Sequence, residues 1–216
     1  MSQPDKAAAP GTEIEIWFEF GSNYSYLSVM RIEQAAALAS VRVAWQPMLL
    51  GAIFRALGFA NAPFLLQKEK LAYVQKDMAR QCRKYGLPPW APPTVFPRLG
   101  VLPLRIVLVG NGASWTGAFC REVMKLNFVL DQDINDAAPM TKILDALGLP
   151  GDDIVAQAQS EPIKARLRAQ TEAARERGIF GAPTFFVAGE MFWGDDRLDD
   201  ALAHASALQA THAKSP

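Results

Sequence analysis

The chain has few of the residues from which redox and metal centres are built. Its 216 residues include two cysteines, Cys82 and Cys120, which lie far apart and form no C-x-x-C motif. This usage favours a reducing compartment, so we expect a cytoplasmic protein whose cysteines are small core residues. Both histidines, His204 and His212, lie in the last 13 residues, and no cysteine-histidine cluster has the spacing of metal ligands. No metal site is therefore predicted.

Charge and hydropathy exclude further classes of protein. The 22 basic residues balance 22 acidic residues, and zero net charge argues against nucleic acid as the main partner because such binding needs a concentrated basic face. No run of 18 apolar residues exists, so no membrane span is expected. The absence of a G-x-S-x-G elbow argues against a serine hydrolase. Residues 1–12 lack a long apolar segment and are predicted to be a flexible tail rather than a secretory signal.

A strand-to-helix junction stands out near the start of the chain. The apolar run Ile14–Phe20 stops at Gly21 and Ser22 and passes directly into a helical pattern. Ser22 therefore lies where a thioredoxin-type oxidoreductase carries its reactive cysteine, and its hydroxyl can also cap the helix. About 160 residues later, the segment Gly181–Val187 (GAPTFFV) is similar to the proline loop that faces this junction in the same fold. Pro183 is accordingly predicted to follow a cis peptide bond.

Periodicity gives the order of the remaining elements. Strands are predicted at residues 13–20 and 41–47, on either side of a helix at 24–38, and this order implies a parallel strand pair with a right-handed crossover. A block of helices follows, in which residues 103–109 are ambiguous between strand and helix. A hairpin at 184–193 then leads to a final helix.

This order predicts an α/β, thioredoxin-like fold interrupted by an all-helical insertion. Residues 13–48 and 178–210 are assigned to the thioredoxin-like domain, and residues 49–177 to the helical insertion domain. A nucleotide-binding domain is an alternative hypothesis, based on the apolar run before Gly110-Asn-Gly112. That G-x-G lacks the third glycine and a well-placed acidic residue.

Four segments carry a resemblance to one family of enzymes. On them the chain resembles the 2-hydroxychromene-2-carboxylate isomerases, which are relatives of the kappa-class glutathione transferases and, more distantly, of DsbA. The resemblance covers nearly everything from Ile14 to Leu202. The four segments are Phe18–Leu27, Lys70–Asp77 with Tyr85–Pro88, Lys164–Ala169, and Gly178–Val187 followed by Met191–Leu198.

The resemblance implies glutathione as the cofactor and Ser22 as the catalytic residue. In such enzymes the serine hydroxyl donates a hydrogen bond to the glutathione sulfur. The thiolate is the nucleophile, and a free thiol has a pKa of about 8.5. Lowering that pKa to near 7 needs about 2 kcal/mol of preference for the anion. One hydrogen bond to a charged group supplies about 1.5–3 kcal/mol, and a helix N-terminus adds about 0.3–1 kcal/mol.

The same resemblance assigns the other glutathione contacts. The backbone of Ala182, turned outward by a cis bond to Pro183, is expected to pair with the cysteinyl backbone of the bound tripeptide. The segment after the hairpin is expected to hold the γ-glutamyl end through Trp193, Gly194, Asp195 and Asp196. Helix N-terminal amides suit its free carboxylate, and a side-chain carboxylate suits its ammonium. Asn61 and Lys70 align more loosely with positions near glutathione and the second substrate.

Some residues depart from the family pattern. Asn23 stands where Ser-Pro is common, Leu99 replaces a polar residue, and Asn127-Phe128 replaces an aromatic pair. These differences fall on the insertion side, where the second substrate is expected, so they leave its identity open. A substrate carboxylate requires a cationic or amide partner, for which Lys70 and Arg98 are the candidates.

The expected activity is the interconversion of 2-hydroxychromene-2-carboxylate and trans-o-hydroxybenzylidenepyruvate by reversible thiolate addition, in aromatic hydrocarbon catabolism. The resemblance also implies a homodimer and a small aromatic substrate. Two alternatives remain open. One is a kappa-like glutathione transferase that conjugates electrophiles, and the other is a redox-inactive thioredoxin-fold binding module.

Overall fold

The computed structural model describes residues 13–59 and 68–212. Within these ranges the chain forms four strands, nine helices and one 3-10 turn at Asp195–Arg197. The strands are β1 (Glu13–Phe18), β2 (Arg42–Pro47), β3 (Thr184–Val187) and β4 (Glu190–Trp193). The helices are α1 (Asn23–Leu38), α2 (Leu50–Ala56), α3 (Lys68–Tyr85), α4 (Val101–Gly110), α5 (Thr116–Phe128), α6 (Ala137–Ala146), α7 (Gly151–Ala158), α8 (Glu161–Glu176) and α9 (Leu198–His212).

The four strands form one mixed sheet in the order β2-β1-β3-β4. β1 pairs with β2 in parallel, with Phe18 opposite Pro47, and with β3 antiparallel, with Trp17 opposite Thr184. The predicted parallel pair and the predicted hairpin are both confirmed. Because β3 runs against β1, the residues that follow Phe18 and those that precede Thr184 meet at one end of the sheet. Ser22 and Pro183 belong to these two stretches.

Alternation along β1 divides the buried residues between the two faces of the sheet. Ile14, Ile16 and Phe18 enter the main core, which also contains residues of the inserted helices such as Phe119. Trp17 points to the other face and joins a smaller cluster, together with Met48, Leu50, Ile53, Ala174, Ile179 and Phe186. The thioredoxin-like sheet is thus covered on both faces, and the helical insertion between β2 and β3 matches the predicted fold class. The division into two domains stays a prediction.

The differences from the predicted elements fall at element ends and in the ambiguous segment. The segment around residues 103–109 is helical, as part of α4, and its apolar residues are buried in the main core. β1 ends at Phe18, two residues earlier than the predicted strand end at Phe20. The last helix begins after the 3-10 turn, which the pattern did not predict. Among the described residues, no helix is long and apolar enough to cross a membrane.

Candidate functional site

The β1–α1 junction and the proline loop are joined through the hydroxyl of Ser22. Ser22 is the N-cap of α1, and its Oγ accepts a hydrogen bond from the Ser25 backbone N–H at 3.2 Å. The same hydroxyl donates to the carbonyl oxygen of Ala182 at 3.0 Å. The Ala182–Pro183 bond is cis, as predicted. Ser22 therefore both caps the helix and reaches the loop that faces it.

Two adjoining cavities open at this junction, of about 290 and 380 Å³. Four residues line both cavities, namely Tyr24, Tyr73, Ala182 and Trp193. We call the smaller one the serine cavity, because Ser22 lines it, and the larger one the acidic cavity, because Asp77, Asp195 and Asp196 line it. A larger cavity of about 770 Å³ between α5 and α6 shares no lining residue with either.

The serine cavity combines a hydroxyl, an amide, a cation and aromatic walls. Besides Ser22, its lining includes Asn23 and Lys70, the second of which the sequence assigned loosely to this region. Trp193 is half exposed and its ring lies 4.8 Å from that of Phe180, between ring centroids. Gly181 leaves room for the Trp193 indole, because a β-carbon at residue 181 would collide with the indole nitrogen. The cavity can therefore hold a flat apolar group beside polar side chains.

The acidic cavity is lined by charged groups of both signs. Asp77 is largely buried, accepts a hydrogen bond from the Tyr24 hydroxyl at 3.1 Å and pairs with Arg80 at 3.2 Å. Burial, followed by the charge of Asp77, raises the pKa of Tyr24, so its hydroxyl stays protonated and remains a donor. Lys84 supplies a cation on the same helix. The arrangement suits a ligand that carries both an ammonium and a carboxylate.

Asp195 and Asp196 differ in environment although they are adjacent. Asp195 is buried, and its Oδ1 accepts from Ser28 at 2.9 Å and lies 3.4 Å from Arg31 Nη2. Burial raises the pKa of Asp195, and the Arg31 charge opposes that shift. Asp196 is exposed and pairs with Arg197. Ser28 and Arg31 of α1 thus already bind the Asp195 carboxyl. The Asp196 carboxyl remains accessible to a ligand.

Arg98, a candidate partner for the substrate carboxylate, lines neither the serine cavity nor the acidic cavity. Arg98 is buried, and its guanidinium donates to Asn127 Oδ1 at 3.2 Å, to the Gln132 carbonyl at 2.7 Å and to Asp131 at 2.7 Å. The prediction that Arg98 binds a substrate carboxylate is therefore wrong, because its guanidinium is buried and already paired with the Asp131 carboxylate. Asn61 lies outside the described residues.

Arg98 instead stabilises the β1–α1 junction through its hydrogen bond to Asn127. Asn127 accepts from Arg98 and donates through Nδ2 to the Phe20 carbonyl at 2.9 Å. The Arg98 backbone lies so close to Gly21 that a β-carbon there would come within 2.8 Å of the Arg98 carbonyl oxygen. Asn127, a departure from the family pattern, thus positions the turn before Ser22 and does not face a second substrate.

Three further residues line these cavities that were not predicted from the sequence, namely Tyr24, Tyr73 and Asp77. A signal for them existed, since Lys70, Tyr73 and Asp77 follow the three- and four-residue spacing of one helix face. Because Lys70 was expected near the site, the residues on the same face of α3 could also be expected to line it. Tyr24 comes two residues after Ser22, in the first turn of α1.

Glu19 is a partly buried carboxyl at the end of β1, and we predict that Glu19→Gln stabilises the protein above pH 7. Burial raises the pKa of Glu19 from 4.5 to about 7, partly offset by a hydrogen bond from the Leu50 backbone. The folded protein therefore holds this proton more tightly than the unfolded chain, and stability falls as the pH rises from about 4.5 to 7. Allowing for its partial exposure, we expect a gain of about 1–3 kcal/mol at pH 8 and almost none at pH 4.

Urea unfolding at several pH values measures this difference. The matched control is Glu176→Gln, which changes an exposed glutamate in α8 and should leave the pH dependence unchanged. Equal gains at pH 4 and pH 8 would show that Glu19 is ionised normally in the folded protein.

Comparison with known proteins gives a consistent result. A family model described as a DSBA-like thioredoxin domain matches residues 13–206. The 2-hydroxychromene-2-carboxylate isomerase of Pseudomonas putida is 28% identical over 197 residues, covering 86% of this chain and 90% of that protein. The protein of the same name from Pseudomonas sp. (strain C18) is 27% identical over 191 residues, covering 86% of each chain. A solved 2-hydroxychromene-2-carboxylate isomerase (HCCA isomerase) has the same fold, with a TM-score of 0.84 at 23% identity over 93% of this chain and 98% of that chain.

Proposed function

Since the chain belongs to the family of DsbA-like thioredoxin domains, we propose that it is a glutathione-dependent isomerase. Its substrates are 2-hydroxychromene-2-carboxylate and trans-o-hydroxybenzylidenepyruvate, formed in aromatic hydrocarbon catabolism. The two relatives from Pseudomonas named above are 2-hydroxychromene-2-carboxylate isomerases, which supports the isomerase part of the proposal. The observation that carries the proposal is a serine in place of the reactive cysteine, hydrogen-bonded to the loop of a cis proline and lining a cavity.

The thiol for such a reaction has to come from a bound ligand. Both cysteines are buried, and burial raises the pKa of the Cys82 and Cys120 thiols, which keeps them protonated. Neither residue lines the serine or the acidic cavity. A peptide thiol placed at Ser22 would instead lie beside a hydroxyl donor and the first turn of α1, which together favour a thiolate.

The residues around Ser22 fit glutathione in three parts. The Ser22 hydroxyl faces the sulfur, and the Ala182 backbone pairs with the cysteinyl residue. The acidic cavity takes the γ-glutamyl end, with Asp77 and Asp196 toward its ammonium and Lys84 toward its carboxylate. Asp195, Trp193 and Gly194 complete the wall of that cavity. In this arrangement the serine cavity stays free for the second substrate.

Four residues of the serine cavity then have roles in the isomerisation. When bound, glutathione supplies a thiolate that adds reversibly to the conjugated double bond of the substrate and so permits rotation about it. Ser22 keeps the sulfur ionised between additions. Lys70 attracts the substrate carboxylate, and Tyr73 and Trp193 hold the aromatic ring. The reaction is redox-neutral, in keeping with the absence of a C-x-x-C pair.

Cellular location and assembly follow as further parts of the proposal. A reducing cytoplasm provides glutathione in its thiol form, and both cysteines of the chain are unpaired. We propose a cytoplasmic homodimer on the basis of the family resemblance. Size-exclusion chromatography with light scattering measures the oligomeric state directly.

Calorimetric titration with glutathione tests the proposal first. We expect binding at or below millimolar concentration, together with an ultraviolet thiolate band at neutral pH. A co-crystal should place the sulfur within about 3.5 Å of the Ser22 hydroxyl. No heat and no thiolate band would contradict the proposal and leave a redox-inactive binding module.

Two substrates then separate isomerase from transferase. Glutathione-loaded protein is assayed with a chromene carboxylate and, in parallel, with a chloronitrobenzene. Turnover of the carboxylate without consumption of glutathione supports the isomerase. Stoichiometric consumption of glutathione by the chloronitrobenzene alone would instead indicate a kappa-like transferase.

A further inference from the structure

Asn127 links the turn before Ser22 to the buried guanidinium of Arg98. It lies in the last turn of α5 and is 1% exposed. Its Oδ1 accepts a hydrogen bond from Arg98 Nη1 at 3.2 Å, and its Nδ2 donates to the Phe20 carbonyl at 2.9 Å. Both polar atoms of this buried amide are thus used, and the proposed function assigns Asn127 no role.

The Phe20 carbonyl depends on Asn127 because it lies where the chain has left the sheet. The chain leaves β1 two residues earlier and has not yet entered α1. In this turn the Ser22 N–H donates to the Glu19 carbonyl at 3.2 Å, but no backbone N–H of the described residues donates to the Phe20 carbonyl. A buried carbonyl without a donor is unfavourable, so the Asn127 amide holds this turn in place.

Arg98 fixes the other side of the amide. Its guanidinium also donates to two acceptors in the loop after α5, each at 2.7 Å. The Arg98 backbone packs directly on the turn, since a β-carbon at Gly21 would come within 2.8 Å of the Arg98 carbonyl oxygen. One buried arginine thus restrains two consecutive residues before Ser22, one through the amide and one by direct contact.

The orientation of the Ser22 side chain follows from the position of this turn. Ser22 is the N-cap of α1, and its Oγ accepts from the Ser25 N–H at 3.2 Å and donates to the Ala182 carbonyl at 3.0 Å. A displacement of the backbone at residues 20 and 21 moves residue 22 relative to both partners. A helix N-terminus stabilises an anion only within its first turn, so its effect on a group at residue 22 depends on the same position.

We propose that Asn127 is a positioning residue: by holding the Phe20 carbonyl, it keeps the side chain of residue 22 at the N-terminus of α1, where a sulfur stays ionised. The inference rests on the proposed function where that sulfur belongs to glutathione. It goes beyond that function by placing one determinant of the thiolate in α5, on a side chain that lines neither cavity. Asn127 therefore acts on the sulfur only through residue 22.

A thiol built into the chain tests the positioning without glutathione. In Ser22→Cys a sulfur occupies the N-cap, and its pKa should lie below the ordinary value of about 8.5 because helix N-termini favour thiolates. The pH dependence of alkylation by iodoacetamide, followed by mass spectrometry of the peptide that carries residue 22, measures this pKa. Adding Asn127→Leu, which removes both hydrogen bonds of the amide, should raise the pKa by about one unit.

Met124→Ala is the matched control for loss of packing in α5. Met124 is also buried in this helix, and its truncation leaves the Asn127 hydrogen bonds intact. In the Ser22→Cys background it should lower the urea midpoint without changing the thiol pKa. Gly21→Ala disturbs the same turn by a second route, because its β-carbon collides with the Arg98 carbonyl. It should raise the pKa as Asn127→Leu does, and it gives the answer if Asn127→Leu does not fold.

Glutathione-loaded protein with Ser22 in place provides a second measurement. Asn127→Leu should raise the pKa of the bound thiol, read from the thiolate band. It should also lower kcat/KM at pH 7 by up to about tenfold, the loss of thiolate that one pKa unit causes. In a Ser22→Ala background, Asn127→Leu should have little further effect on either quantity, because two residues that act through one interaction are not additive.

The outcomes separate this inference from the proposed function. An unchanged thiol pKa in Asn127→Leu, an equal rise in Met124→Ala, or an undiminished effect of Asn127→Leu in the Ser22→Ala background would overturn the role given to Asn127. Failure of the parent protein to bind glutathione would instead remove the proposed function. A thiol pKa that depends on Asn127 in the Ser22→Cys protein would then support the positioning role by itself.

Discussion

Replacement of Ser22 by alanine is expected to lower kcat/KM for the isomerisation by about 100-fold or more. The variant loses the hydroxyl that faces the sulfur in the proposed complex with glutathione, and a hydrogen bond to a charged group contributes about 1.5–3 kcal/mol. The thiol pKa of bound glutathione should therefore rise by about 1–2 units. A pH titration of the thiolate band measures the pKa, and steady-state kinetics measure the rate.

The helix cap complicates this variant and needs its own control. Ser22→Ala also removes the acceptor for the Ser25 N–H, and loss of an N-cap costs about 0.5–2 kcal/mol of stability. Asp136→Ala removes a comparable cap, from α6, where Asp136 accepts from the Ala138 N–H. That variant should lose stability in the same range and keep full activity. An active Ser22→Ala protein with a normal thiolate would contradict the role of the serine.

Asp195→Ala is expected to lower the free energy of unfolding by about 2–4 kcal/mol. The change leaves the Ser28 hydroxyl without its acceptor and leaves Arg31, which is 12% exposed, without its buried partner. Breaking a buried ion pair on one side is costly because the remaining charge stays away from water. Asp199, 3.0 Å from Arg31, offsets part of the loss. Urea unfolding at pH 7 measures the difference.

Asp199→Ala is the matched control because it removes the exposed partner of the same guanidinium. Asp199 is 70% exposed, so its removal should cost no more than about 1 kcal/mol. Asp196→Ala adds a functional comparison, since it should weaken glutathione binding with little change in stability. Equal stability losses for Asp195→Ala and Asp199→Ala would show that burial of the first pair is unimportant.

Much of the fold was predictable because the signals are local. The junction at Ser22 is visible as an apolar run, a glycine and a cap within a few residues. The proline loop before β3 is equally compact in sequence. The 103–109 segment stayed ambiguous because a short continuous apolar run lacks periodicity, and only its burial among other helices decides its state.

The candidate site could be predicted where a residue stands out in its local sequence. It could not be predicted where the environment of a residue depends on partners that are distant in sequence. The position of Ser22 at the junction could be predicted from local sequence, and that of Lys70 near it from a loose alignment. Arg98 could not be judged from sequence, since its acceptors lie 29 to 34 residues away. The burial of Asp195 depends likewise on Ser28, which is 167 residues distant.

The bond from the Ser22 hydroxyl to the Ala182 carbonyl bears on which thiols the protein accepts. If the Ser22 hydroxyl donates to a bound sulfur instead, the Ala182 carbonyl oxygen loses its donor and requires another one. A peptide provides one through its own backbone N–H, whereas a simple alkyl mercaptan of similar acidity has none to offer. In the proposed complex, this contact would favour thiols that carry a nearby amide N–H over other thiols of the same acidity.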